Sequence, residues 1–226
     1  MADLAEDTRH RLLESAGEVF GERGFDAATV REICSRASAN VAAVNYYFGD
    51  KERLYIEAVR HAHLSRREHQ PPQMSADAPA QERLRQYIHA MLSRLLDERR
   101  PAWHARLMAR EMAEPTRACE ELVESYIRSN FELLDEILLE MLPPETPATD
   151  RHLIGFSIVG QCVHFKIHQP IARLLVGEEE MLSYDVDRLT EHVTQFSLAA
   201  LGGVKLLPKA SQEVLESTRA SQGDAQ

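Results

Sequence analysis

A short stretch near the start of the chain carries side chains that can form hydrogen bonds with nucleic acid. The side chains suited to base edges or phosphates are Asn40, Ala43, Asn45, Tyr46 and Tyr47. An asparagine amide can pair with adenine, and a small apolar side chain can contact the methyl group of thymine. Lys51 and the backbone amides near Thr29 could bind phosphates, as could a tyrosine hydroxyl. This pattern indicates recognition of DNA and not the breaking of a bond.

Three predicted helices must position these side chains, because apolar residues recur there with a period near 3.6. Gly24 ends the first, and Thr29 with Glu32 has the pattern of a capping box before the second. Small residues in the turn let the second and third helices cross steeply, while Val44 and Phe48 anchor the third. The arrangement is a helix-turn-helix, whose last helix enters the major groove. The predicted ranges are 7–23, 30–37 and 41–47.

The remaining sequence also has helical periodicity, and we find no strand alternation or internal repeat. The predicted fold is all-α, with a three-helix head followed by a body of about six helices. We divide the chain into a DNA-binding domain at 1–50, a ligand-sensing and dimerisation domain at 51–208 and a flexible tail at 209–226. The predicted helices after the head are 50–68, 80–98, 103–112, 116–142, 150–168, 171–176 and 187–202.

Composition restricts the class of protein. The chain has 226 residues, of which 44% are hydrophobic, so it can bury a substantial core. The net charge of -10 argues against nucleic acid, although the segment 35–49 contains no acidic residue and DNA affinity depends on the local face. Three widely spaced cysteines, no signal sequence and no long apolar run lead us to expect a cytoplasmic protein.

The body carries side chains that could line a cavity for a small molecule. For most of these side chains, ordinary core packing is an equally simple interpretation. Arg110 and Glu111 lie in an apolar context, where they could form a structural ion pair or anchor a ligand. The candidate ligand-binding residues are Trp103, Met108, Glu111, Phe131, Phe156, Gln161, His164 and Phe165.

Metal and catalytic chemistry are poorly supported by the spacing of the reactive side chains. His164 and His168 are four residues apart and share one helix face, but Cys162 lies on another face. His61 and His63 point to different faces of their helix and are expected to face solvent. The chain has no nucleophile elbow, phosphate-binding glycine loop or paired acidic motif. We therefore predict no enzyme, no metal site and no cofactor.

Two longer motifs resemble known families. The segments GFDAATVREI at 24–33 and AAVNYYFGDKERL at 42–54 resemble the N-terminal signature of TetR-family repressors. This resemblance implies that 40–47, including Val41 and Ala42, belong to the recognition helix and its approach, and that Lys51 contacts phosphate. The family more often has glycine at Ser38 and tyrosine at Asn45.

The body resembles a narrower group. Arg110-Glu111-Met112, Glu114-Pro115-Thr116 and the segment FSIVGQCVHF at 156–165 look like the C-terminal domain of CecR/CerR-type regulators. Members of this group are regulators, and their inducers are mostly unassigned.

These observations together predict a homodimeric repressor that binds a palindromic operator and is released by a small-molecule inducer. The last two long helices would pair with their copies, and Gly155, Gly160 and the small residues after 198 would permit close approach. Three alternatives remain open. They are a helical binding or scaffold protein whose head does not read DNA, a redox sensor using Cys119 or Cys162, and an enzyme acting on a small apolar substrate.

Overall fold

The computed structural model describes residues 2–63, 74–75 and 77–203, and within them the fold is all-α, as the sequence predicted. Twelve α-helices and one π-helical turn, Val123–Ile127, make up this described part. The predicted tail at 209–226 lies outside it. The helices are α1 Ala2–Ala27, α2 Val30–Arg36, α3 Val41–Phe48, α4 Lys51–His63, α5 Ala80–Leu95, α6 Ala102–Ala113, α7 Arg117–Leu122, α8 Arg128–Met141, α9 Ala148–Ile167, α10 Gln169–Val176, α11 Glu178–Leu182 and α12 Val186–Gly203.

These helices form two compact units. The first unit contains α1 to α4, α6, α7 and the π-helical turn, and in it α1 packs against α2, α3, α4 and α6. The apolar face that the sequence predicted for α1 is buried, and it joins one continuous core with apolar residues of α2, α3 and α4. The predicted head therefore shares its core with later helices instead of forming a separate one.

The second unit contains α5 and α9 to α12, together with the second half of α8. In this unit α5 packs against α9 and α12, and α9 also contacts α12. An ion pair with two hydrogen bonds of 3.0 Å joins Arg151 to Asp135, and Arg151 also donates to the Thr146 carbonyl oxygen. These bonds fix the start of α9 against α8.

Apart from shifts of a few residues at helix ends, the observed helices differ from the predicted ones after α6 and after α10. The single helix predicted over 116–142 is interrupted by the π-helical turn, which buries Tyr126. The short helix α11 was not predicted, because its sequence EEEML lacks an apolar period long enough to recognise.

Among the helices described, none is both long enough and apolar enough to cross a membrane.

Candidate nucleic-acid interface

The helix-turn-helix forms as the sequence predicted. The Thr29 hydroxyl oxygen caps α2 by accepting a hydrogen bond of 3.2 Å from the Glu32 amide. The Glu32 carboxylate pairs with Arg23 at 2.9 Å, so it strengthens the link between α1 and α2. Ser38, in the turn before α3, has a φ of 51°, in the left-handed region that favours glycine. The turn thus has the geometry for which the family more often uses glycine.

The recognition helix α3 has one face in the core and one face at the surface. Val44 and Phe48 are buried, as predicted from their spacing. The opposite face exposes Val41, Ala42, Asn45 and Tyr46, and the Tyr46 side chain is 81% exposed. Since the core fixes the inner face, the outer side chains are presented from a rigid support, as groove reading requires.

Asn40 has a structural role at the start of α3. Its side-chain oxygen accepts a hydrogen bond of 2.9 Å from the Ala42 amide and so caps the helix. The residue is exposed, and its amide nitrogen still has two hydrogens to donate. Capping and base contact are therefore compatible at this position.

The two tyrosines of α3 differ in their surroundings. Tyr47 is half-buried and packs against the core together with Ala43, whereas Tyr46 is at the surface. Their rings meet edge to face with centroids 4.9 Å apart. Packing against Tyr47 therefore orients the Tyr46 ring.

Lys51 stands at the first position of α4. Its ammonium group lies 4.5 Å from the centre of the Phe25 ring and donates to the Asp26 carbonyl oxygen at 3.3 Å. The helix itself begins with a cap, because Asp50 accepts a hydrogen bond of 2.7 Å from the Arg53 amide. These contacts hold the lysine charge beside the end of α1.

In the head, acidic groups of α1 and α2 are paired with arginines, and these pairs do not involve α3. Arg36 donates two hydrogen bonds of 3.1 Å to Glu22, and these bonds hold the pKa of that carboxyl below its usual value. The first turn of α3 contains no acidic residue. The negative net charge of the chain therefore does not fall on the recognition helix.

Four of the predicted ligand-binding residues belong to the first unit. Trp103 is buried, and its indole nitrogen donates to Glu14 at 3.0 Å. Met108 and Phe131 are half-buried, and Met108 packs on the core. Glu111 is only 1% exposed.

The other four belong to the second unit. Phe156 and His164 are exposed on α9, and the His164 ring stacks on that of His168 with centroids 4.3 Å apart. Gln161 is half-buried and donates to the Ser157 carbonyl oxygen at 3.4 Å. Phe165, also half-buried, meets His192 edge to face. The assignment of these residues to a ligand stays a prediction.

Sequence reasoning missed a buried network that connects α4 with α6. The Tyr55 hydroxyl donates to the Glu111 carboxylate, which also accepts hydrogen bonds of 3.2 Å and 3.1 Å from the Thr116 amide and hydroxyl. Burial and the neighbouring carboxylate raise the pKa of Tyr55 above its usual value. The ion pair proposed between Arg110 and Glu111 is replaced by separate partners, because Arg110 donates to the Gly21 and Glu22 carbonyl oxygens.

Comparison with known proteins decides the family. A model of the C-terminal domain of the HTH-type transcriptional dual regulator CecR matches residues 80–201, which is more than half of the chain. A model of the tetR family of bacterial regulatory proteins matches residues 12–58, the segment that contains α2 and α3. The chain belongs to the TetR family of regulators, with a CecR-type C-terminal domain. It is a DNA-binding transcriptional regulator, and its family is one of transcriptional regulators and not of enzymes.

Individual relatives match the chain over a short segment or over most of its length. The repressor NicS of Pseudomonas putida is 36% identical over 64 residues, which cover 28% of this chain and 30% of NicS. The dual regulator CecR of Shigella flexneri is 26% identical over 78% of this chain and 83% of its own length. A crystal structure of a TetR-like regulator from Rhodococcus sp. RHA1 has the same fold, with a TM-score of 0.61 at 20% identity over 87% of this chain and 97% of its own.

Proposed function

We propose that the protein acts as a homodimer that represses transcription by placing one α3 from each protomer in successive major grooves of a near-palindromic operator. The exposed face of α3, fixed from behind by Val44 and Phe48, is the observation that carries this proposal. Asn40, Asn45 and Tyr46 read bases, whereas Lys51, Tyr47 and the start of α2 at Thr29 contact phosphates. Val41, Ala42 and Ala43 contribute apolar contacts to thymine methyl groups.

The second unit supports the dimer, because α9 and α12 expose an apolar face. Leu153, Phe156 and Ile167 are exposed along α9, and Phe156 is 60% exposed. Phe196 of α12 is 59% exposed. Exposed apolar side chains aligned on two helices that contact each other are typical of a surface covered by another protein.

The two glycines of α9 differ in their relation to this face. A Cβ added at Gly160 would meet nothing within 4 Å, so the surface there is open to close approach. Gly155 is buried in the chain's own core and does not belong to the face. The expectation that both glycines serve dimer contact is therefore wrong for Gly155.

Repression is proposed because the relative NicS is named a repressor. Release from DNA would follow from ligand binding. A small molecule that binds one arrangement of the helices more tightly shifts the population of the protein toward that arrangement. If that arrangement changes the spacing of the two α3 helices, one half-site is lost, and specific affinity falls with it. We assign the ligand to the body, with the residues named above as candidates.

Selection from a library of random DNA duplexes tests the DNA proposal. The purified full chain is expected to enrich a near-palindromic sequence whose half-sites are about one helical turn apart. Enrichment of no sequence, or of a motif without twofold symmetry, would contradict the proposal.

The oligomeric state has its own test. Leu153→Arg places a charge on the exposed face of α9 and is expected to convert the dimer to a monomer in light scattering after gel filtration. Leu139→Arg, at an exposed leucine of α8, is the matched control and should stay dimeric. A dimer that survives Leu153→Arg would exclude this face as the interface.

A further inference from the structure

Three helices of the first unit bring together side chains that suit a metal ion. Glu14 of α1, His61 of α4 and His104 of α6 each offer one ligand atom, and these three atoms lie within 4.8 Å of one another. The Glu14 carboxylate oxygen is 3.1 Å from His61 Nε2. In a tetrahedral zinc site with bonds of about 2.0 Å, neighbouring ligand atoms are about 3.3 Å apart. Glu14 and His61 already have this spacing. The His104 ring would have to shift to bring its nitrogen to the same distance from both.

His104 is the residue that a simple ion pair does not explain. It is 6% exposed, and both of its ring nitrogens are buried without a hydrogen-bond partner. A buried polar group without a partner is unfavourable, because it has lost its hydrogen bonds to water. A neutral imidazole carries a lone pair on one ring nitrogen, and this lone pair can bind a metal.

Glu14 is oriented toward the cluster by its hydrogen bond with the neighbouring tryptophan. The Trp103 indole donates to one carboxylate oxygen at 3.0 Å, while His61 faces the other. Outer hydrogen bonds of this kind orient ligands in metal sites.

We propose that Glu14, His61 and His104 bind a divalent transition metal such as Zn²⁺, with water in the fourth position. Two imidazoles and one carboxylate form a ligand set that zinc takes in proteins. The metal would give the His104 ring the partner that it lacks and would join α1, α4 and α6. The proposal does not depend on the proposed function, since metal binding is measured without DNA.

No metal site was expected from the sequence, because residues that are close in the chain do not form a set of metal ligands there. Its expectation that His61 faces solvent is wrong, since the side chain is 21% exposed and pairs with Glu14. The three ligands come from three helices and are far apart in sequence. Only the packing of those helices brings them together.

Titration of the full chain with Co²⁺, after treatment with a chelator, tests the site. Cobalt in a four-coordinate site of nitrogen and oxygen ligands absorbs visible light, and Trp103 beside the site reports binding by loss of fluorescence. We expect one Co²⁺ per protomer, displaced by Zn²⁺. The variants Glu14→Gln and His61→Ala are expected to lower the affinity for Co²⁺ by tenfold or more. Even mutation of residues that only hydrogen-bond to metal ligands lowers metal affinity by about tenfold.

Two further variants test whether loss of Co²⁺ binding reflects unfolding and whether Co²⁺ binds another histidine pair. His104→Phe fills the same buried space without a nitrogen, so it should stay folded by circular dichroism and still lose Co²⁺ binding. His168→Ala breaks the stacked pair of His164 and His168 and should bind Co²⁺ as the unchanged protein does. The proposal is overturned if Co²⁺ affinity is unchanged in the three ligand variants, or if it is lost in His168→Ala.

Discussion

The indole ring of Trp103 lies so close to Gly17 that a Cβ added at this glycine would come within 2.3 Å of ring atom Cζ3. Gly17 is therefore the residue that lets α6 approach α1. The same ring donates to Glu14, one turn before Gly17 on α1. The single tryptophan of the chain thus joins α1 to α6 through both packing and a hydrogen bond.

Gly17→Ala is expected to lower the free energy of unfolding by about 1–3 kcal/mol, because the methyl group overpacks the contact with Trp103. Gly21→Ala is the control on the same helix. Its Cβ would lie 3.5 Å from its nearest neighbours, so the gain in helix propensity should leave stability equal or higher. Urea unfolding of both variants makes the measurement. Equal stability of the two variants would contradict the packing argument.

Ser38→Gly should stabilise the protein by about 1 kcal/mol, because Ser38 has a left-handed backbone that glycine adopts without strain. Ser35→Gly is the matched change inside α2, where glycine weakens the helix, and it should destabilise by about 0.5–1 kcal/mol. Thermal unfolding of the two variants should therefore move the midpoint in opposite directions. A fall in both midpoints would mean that the Ser38 side chain contributes more than its backbone strain costs.

Asn45→Ala should relax the preference for one base pair in each half-site and leave the fold intact, because the side chain is exposed on the outer face of α3. Asn40→Ala should in addition destabilise the protein by about 1 kcal/mol through loss of the cap on Ala42, whereas Asn40→Ser keeps a cap. Binding to a set of single-base operator variants, with unfolding curves alongside, separates the two roles. An unchanged base preference in Asn45→Ala would remove this residue from the readout.

Lys51→Met should weaken binding to all DNA sequences alike and reduce the slope of log affinity against log salt by about 1 or less, since one phosphate contact is lost. Lys166→Met removes a lysine of α9 in the second unit and should leave the slope unchanged. Filter binding at several salt concentrations makes the comparison. If the Lys51 variant keeps the full salt dependence, Lys51 contacts only Phe25 and Asp26 and no phosphate.

Alkylation of the native protein should modify Cys119 before Cys162 and leave the affinity for DNA unchanged. Cys162 is fully buried, and burial raises the pKa of its thiol to about 12. Burial also raises the pKa of Cys34 and Cys119, so little reactive thiolate is present at neutral pH. Mass spectrometry after timed alkylation gives the order. Fast labelling of Cys162 with a change in affinity would support a thiol sensor instead.

The head could be predicted closely because its local signals agree with its packing. The spacing of Val44 and Phe48 predicted their burial, and the Thr29 cap forms at the residue where the sequence placed it. The exposure of Asn45 and Tyr46 followed from the same pattern, because the face opposite Val44 and Phe48 has to be exposed. In this segment short-range sequence information was sufficient.

Contacts between distant helices could not be predicted in this way. Glu111 was considered beside Arg110, its neighbour in sequence, whereas its partners are Tyr55 on α4 and Thr116. Periodicity tells which face of a helix is apolar, but it does not tell which helix covers that face. For the same reason the cluster of Glu14 and His104 was missed.

A titration of the duplex enriched by library selection, against the same duplex with one half-site scrambled, tests the central claim most directly. The account predicts that the intact duplex binds two protomers, resists random competitor DNA and weakens as salt rises. It predicts that the scrambled duplex loses most of this specific affinity. Equal affinity for the two duplexes would contradict a dimer that reads DNA with both α3 helices. It would mean that one protomer binds each duplex, or that binding depends only on the charge of the DNA.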